Sequence, residues 1–129
     1  MQTYFHALYP GKKNLKVISL FGYCSRGIPG VELVNLPESK ALKEKLVYHT
    51  RLQKKKLPLQ RFMICCEDSI DKKEASEIRH LELPLLILLW SLAGLVPIKR
   101  LEDCLSFGKI SPSGRYLLSR EFLSKFEKE

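Results

Sequence analysis

Between Lys40 and Arg61 the chain places eight positive side chains, Lys40, Lys43, Lys45, Arg51, Lys54, Lys55, Lys56 and Arg61, against the single acid Glu44. Ammonium and guanidinium groups at that density suit one kind of chemistry, the neutralisation of phosphate or carboxylate on a partner. The residues read as contacts are Lys40, Lys43, Arg51, Lys54, Lys55, Lys56 and Arg61. Neither a recognition helix nor an aromatic platform is evident beside them, so contact with nucleic acid would be made to phosphates and be indifferent to sequence. Other chemistries lack their residues. A P-loop needs G-x-x-x-x-G-K-[ST], whose backbone amides and lysine hold the phosphates. Gly11-Lys12 has His6 at the upstream glycine position and Lys13 after it; Gly108-Lys109 has Asp103 upstream and Ile110 after it. His6, His49 and His80 have no spacing that would gather them on a metal. Cys24, Cys65, Cys66 and Cys104 contain no C-x-x-C pair. The adjacent Cys65 and Cys66 would point to opposite faces of a strand, and the thiols read as buried and reduced. No metal and no cofactor is implied.

The elements that must position the basic stretch follow from apolar spacing and from turn residues. Leu36-Pro37-Glu38-Ser39 introduces a helix over 38–52, with proline at its start, an acid in the first turn, and Leu42, Leu46 and His49 on one face. Pro58 ends it, and Arg61 to Cys66 is a near-continuous apolar run of interior-strand length. Before the helix, residues 4–8 alternate loosely and reach Pro10-Gly11, and Lys16 to Cys24 is rich in β-formers; the two make an opening antiparallel pair. Val31 to Val34 is a short strand with an exposed Glu32. Glu67 to Arg79 is a surface connection or a short polar helix.

From Leu83 to Val96 the chain is apolar with only Pro84, Ser91 and Gly94 interrupting, so this segment must be buried on all sides. It is shorter than the roughly 20 residues a membrane span needs, and it is bounded by Glu82 and by Pro97, Lys99 and Arg100. It reads as a central helix with Pro84 in its first turn and Gly94 as its left-handed stop. Cys104 to Ile110 reads as one strand, which pairs across a Pro112-Ser113-Gly114 turn with a strand from Arg115 to Leu118. Phe122, Leu123 and Phe126 recur at helical spacing near the end.

At 129 residues and 45% apolar content the chain has the size of one domain, without repeats or a flexible linker. The reading is a single α+β domain over 1–129. A net charge of +8 favours anionic partners. Met1 to His6 lacks a basic segment leading into an apolar one, so no signal peptide is expected and the chain reads as cytoplasmic.

The run Ser25-Arg26-Gly27-Ile28-Pro29-Gly30, the short strand to Val34, then Asn35-Leu36-Pro37-Glu38 and a charged helix, resembles the amino-terminal domain of the ComM/YifB family, the magnesium-chelatase-like (ChlI-type) AAA ATPases. Lys73-Glu74, Leu81-Glu82-Leu83-Pro84, Gly94, Val96-Pro97 and Phe107-Gly108-Lys109-Ile110-Ser111 follow in the family's order. The resemblance extends from residue 3 to 120. Departures are Ala75 for a glycine, Asn35 for a glycine, Lys109 for an acid, and extra residues around Glu77 to Arg79. The chain also ends at Glu129, where the family continues into its ATPase module.

The resemblance implies a Lon proteolytic-domain-like, ribosomal-protein domain-2-like two-layer fold with a mixed sheet and a left-handed βαβ crossover. It also implies where a Lon-type serine–lysine dyad would stand. Those positions are His80 and Leu123, which can serve neither as hydroxyl nucleophile nor as amine base; a shifted pair, Ser76 and Lys125, would require both to move together. The expected function is therefore a non-catalytic, free-standing binding or assembly module of a DNA-processing AAA ATPase system. Its expected partners are DNA without sequence preference, an ATPase supplied by another chain, and further copies of itself, with no membrane. The alternatives are a protein-interaction module without DNA binding, a residual peptidase, and a decayed gene fragment.

Overall fold

A computed structural model of the protein describes residues 2–10, 15–70, 72–96, 101 and 104–117. Its frame is a mixed five-stranded sheet in the order β3-β4-β2-β1-β5, with β1 at Gln2–Pro10, β2 at Leu15–Ser25, β3 at Gly30–Val34, β4 at Arg61–Cys66 and β5 at Leu105–Ser106. β2 runs antiparallel to both β1 and β4, whereas β3 is parallel to β4 and β5 parallel to β1. The expected opening pair and the interior position of β4 are both present. Helix α1, Ser39–Leu52, connects β3 to β4; helix α2, Glu82–Leu92, follows a 3-10 helix at Lys72–Leu81.

Register decides which side chains meet. Pairing Phe5 with Leu20, Leu20 with Cys66 and Leu33 with Ile64 puts these residues on one face, and all of them are buried. Both helices pack there. From α1 come Leu42 and Leu46, the i and i+4 positions of one stripe, while α2 is buried nearly all round. Gly22 lets α2 approach the sheet, since a Cβ there would lie 2.5 Å from Leu92 Cδ1. The 11 residues of α2 span about 16 Å, half of a bilayer's hydrocarbon core. Among the described residues no helix is long and apolar enough to cross a membrane.

Pro84 stands in the first turn of α2 and Gly94, at φ 72°, follows its end, as expected for both. Other expectations need correction. Glu38 is not in the first turn of α1 but immediately before it, in a left-handed conformation (φ 53°), with no side-chain cap. Glu32 is only half exposed, because Arg61 reaches it across the β3–β4 pair. Cys104 to Ile110 is not one strand. Leu105–Ser106 joins the main sheet beside β1, whereas β6, Lys109–Ile110, forms a separate hairpin with β7, Tyr116–Leu117. The break falls at Gly108, whose N–H donates to His80 O (3.0 Å) and whose carbonyl accepts from Leu83 N–H (3.1 Å). The backbone there is committed to the start of α2 and cannot continue a ladder. The region expected to carry Phe122, Leu123 and Phe126 in a helix lies outside the described residues, as does Leu118.

Candidate functional site

The basic stretch begins on α1 and runs over its carboxy-terminal end. That end closes in a Schellman arrangement: Lys55 N–H donates to Thr50 O (3.1 Å) and Lys54 N–H to Arg51 O (2.9 Å). The motif requires a left-handed residue, and Lys54 fills the position at φ 58°. Glycine adopts this conformation without strain, whereas a side chain there costs about 1–2 kcal/mol. A lysine is thus held at the helix end despite its backbone cost.

The seven residues read from the sequence as contacts fall into three sets. Arg51, Lys54 and Lys56 are exposed at the helix end, with no carboxylate partner among the described residues. Lys40 and Lys43 are exposed two turns or more earlier, on the side of α1 beside β3. The third set is engaged within the fold. Arg61 pairs with Glu32, and the ammonium of Lys55 sits 5.3 Å from the centre of the Trp90 ring, a cation–π contact. Eight residues separate Lys43 from Arg51, about 12 Å along the helix axis, so the two exposed sets are distinct patches.

Trp90 explains why Lys55 is held. Its indole Nε1–H donates to Thr50 Oγ1 (2.9 Å), and that hydroxyl donates to Leu46 O (2.7 Å). The His49 ring stacks on the indole at 5.9 Å. Burial, with the Lys45 charge nearby, lowers the pKa of His49 from its ordinary 6.5 and keeps the ring neutral. Trp90 is therefore a core residue with one face offered to Lys55, not a platform for bases.

Lys45, left out of the contact set, points inward. Its Nζ lies 3.0 Å from Glu82 Oε2, and Arg79 Nε lies 3.5 Å from the same oxygen. The other oxygen accepts from Ile110 N–H at 2.8 Å. With its side chain 3% exposed, Glu82 is a buried carboxylate joining α1, the 3-10 helix and the β6–β7 hairpin. Sequence reasoning missed it, although an acid at the head of an otherwise apolar helix was the available signal.

One aromatic group was also missed. Tyr4 stacks on Phe21 (5.8 Å between centroids) and Phe21 on Tyr23 (6.0 Å), on the sheet face opposite the helices. Strand alternation alone could have placed Phe21 and Tyr23 together; adding Tyr4 required the β1–β2 register. The rings lie away from α1 and its charges.

His80, mapped by resemblance to a nucleophile's position, is fully buried, with Nδ1 2.8 Å from Glu77 Oε2. Ser76 belongs to the 3-10 helix, and Leu123 and Lys125 lie outside the described residues. Among the described residues no group of three His, Cys, Asp or Glu could hold a metal. The four thiols are free, but only Cys66 is buried and Cys104 is exposed, which corrects the uniformly buried expectation. Cys65 and Cys66 do face opposite ways, and burial pushes the Cys66 thiol up to about 11, leaving it a poor nucleophile at neutral pH.

Asn35 stands in the left-handed region at φ 61°, which asparagine tolerates better than most residues, and its Nδ2 donates to Cys66 O (2.8 Å). An asparagine can thus occupy a position that elsewhere would take glycine. No protein-family model matches the chain, and comparison with curated proteins finds no significant match.

Proposed function

We propose that the chain is a non-catalytic binding module that meets duplex DNA through the carboxy-terminal end of α1. It would act within a ComM/YifB-like system whose P-loop these 129 residues do not contain. The observation carrying the proposal is the set Arg51, Lys54 and Lys56: three exposed cations within six residues, without carboxylate partners among the described residues. Lys54 adds weight, because its backbone conformation would favour glycine on structural grounds alone. Contacts of this kind position a protein on phosphates and do not read bases, so binding is weak and indifferent to sequence. The proposal includes the Lon-like two-layer fold with a left-handed β3–α1–β4 crossover. Parallel β3 and β4 joined through α1 are the unit that such a fold requires.

Fluorescence anisotropy on a labelled duplex across a salt series tests the reading. Three phosphate contacts give a slope of log K against log salt of about −3. Combining Arg51→Ala, Lys54→Gly and Lys56→Ala should flatten it towards zero, the glycine preserving the helix stop. Parent-like binding by this variant, or no binding by the parent at low salt, would refute it.

A further inference from the structure

We propose that the open edge of β3 takes an acidic, extended segment of a partner protein as a sixth strand of the sheet. This goes beyond the DNA-contacting reading and uses a different part of the molecule. Among the described residues β3 has a single neighbour, β4. Gly30 N–H donates to Gln60 O at 3.0 Å, so Gly30, Glu32 and Val34 turn their backbone groups towards β4. Alternation along a strand then directs the N–H and C=O of Val31 and Leu33 outward.

A groove of about 480 Å³ lies beside this edge. It is lined by every residue from Gly30 to Leu33, although successive side chains point to opposite faces, so the groove follows the edge and not either face. Lys40 and Lys43 reach it from the helix side of the sheet and Arg61 from the other, as for an opening that runs along the strand edge. Open edges are ordinarily protected by charged side chains, above all lysine, by proline, by a bulge, or by a covering element. Gly30-Val31-Glu32-Leu33-Val34 has neither lysine nor proline, its one charge is paired with Arg61, and it pairs with β4 in unbroken register.

Charge selects the occupant. Glu32, the carboxylate lining the groove, is engaged by Arg61, whereas Lys40 and Lys43 have no carboxylate partner among the described residues. An incoming strand with acidic residues on its helix-facing side matches both lysines. Ile28, 81% exposed at one end of the groove, offers an apolar contact for a side chain of the other set. A second copy of β3 would bring one carboxylate and leave lysines unmatched on both copies, so an acidic partner fits better.

The test uses the full chain and a fluorescein-labelled nonapeptide alternating glutamate and valine, followed by anisotropy at low salt. Two further peptides carry N-methyl groups, one at every glutamate and the other at every valine. A strand presents only every second amide to its neighbour. One methylated peptide should therefore lose at least about tenfold in affinity while the other binds like the parent, each lost hydrogen bond contributing on the order of a kcal/mol. Lys40→Glu with Lys43→Glu, both exposed and checked for folding by circular dichroism, should weaken the parent peptide by at least tenfold. Equal binding of both methylated peptides would mean charge attraction without strand addition and would overturn the proposal. So would equal binding of a lysine–valine peptide, or self-association of the chain without peptide uptake, which would assign the edge to a second copy. None of these readings depends on Arg51, Lys54 or Lys56, so failure here and failure of the DNA reading are separable.

Discussion

Glu82→Ala should be the most damaging single truncation of a charged residue in this fold. The carboxylate is 3% exposed and holds three donors from three elements: Lys45 Nζ, Arg79 Nε and Ile110 N–H. Removing it leaves the backbone N–H of a residue only 1% exposed without its acceptor, about 1–3 kcal/mol. The lysine loses its counter-charge at 23% exposure and must turn outward, whereas Arg79, at 48%, is already half in water. Breaking a buried ion pair from one side costs about 3–5 kcal/mol, and the partial exposure of both cations places this site near the lower figure. Glu82→Gln retains an oxygen for Ile110 and loses only charge, so it should cost about half as much. Urea unfolding followed by the fluorescence of Trp90, the single tryptophan, reads both variants. A Glu82→Ala unfolding free energy within about 1 kcal/mol of the parent's would refute the argument. Equal damage from glutamine would show that the charge, not the Ile110 hydrogen bond, is what matters.

Two smaller predictions concern the end of α1. Lys54→Gly should raise stability by up to about 1 kcal/mol in the same urea experiment, because relief of the left-handed side chain exceeds the extra freedom glycine gives the unfolded chain; Lys54→Ala should give no gain. His49 has a folded pKa below its ordinary 6.5, so its contribution is complete above that pH and is lost as pH falls, the unfolded chain taking the proton first. Unfolding midpoints measured from pH 7.5 to 5 should therefore fall more steeply for the parent than for His49→Gln.

What could be read without coordinates was what one segment specifies by itself. The apolar run bounded by Pro84 and Gly94 fixes α2, and the Leu42, Leu46 and His49 spacing fixes the buried face of α1. The Arg61–Cys66 run has the composition of an interior strand, and it is one. Two of the failures involve partners distant in sequence, and the others turn on a local backbone state that the side chain does not signal. Cys104 to Ile110 has the composition of a single strand, but His80 and Leu83 capture the Gly108 backbone and split it. Glu82 looked like a boundary residue because its partners lie 37 residues back and 28 ahead. The left-handed state of Lys54 follows from the Schellman closure, and lysine, unlike glycine, does not announce it.

The basic stretch is where local reading and tertiary structure diverge in a way that an assay can count. As sequence it is a single run of eight cations, which acting together on duplex DNA would give a salt slope of about −7. Folding pairs Lys45 with Glu82, Lys55 with Trp90 and Arg61 with Glu32, and the other five separate into a helix-end set and a groove pair. A slope near −3 means the helix end acts alone, as proposed, whereas about −4.5 means Lys40 and Lys43 reach the same duplex. In the second case DNA and an acidic strand would compete for the groove, and unlabelled duplex would displace the glutamate–valine peptide. In the first, both would bind one molecule together, leaving the β3 edge open to a protein partner while the chain is on DNA.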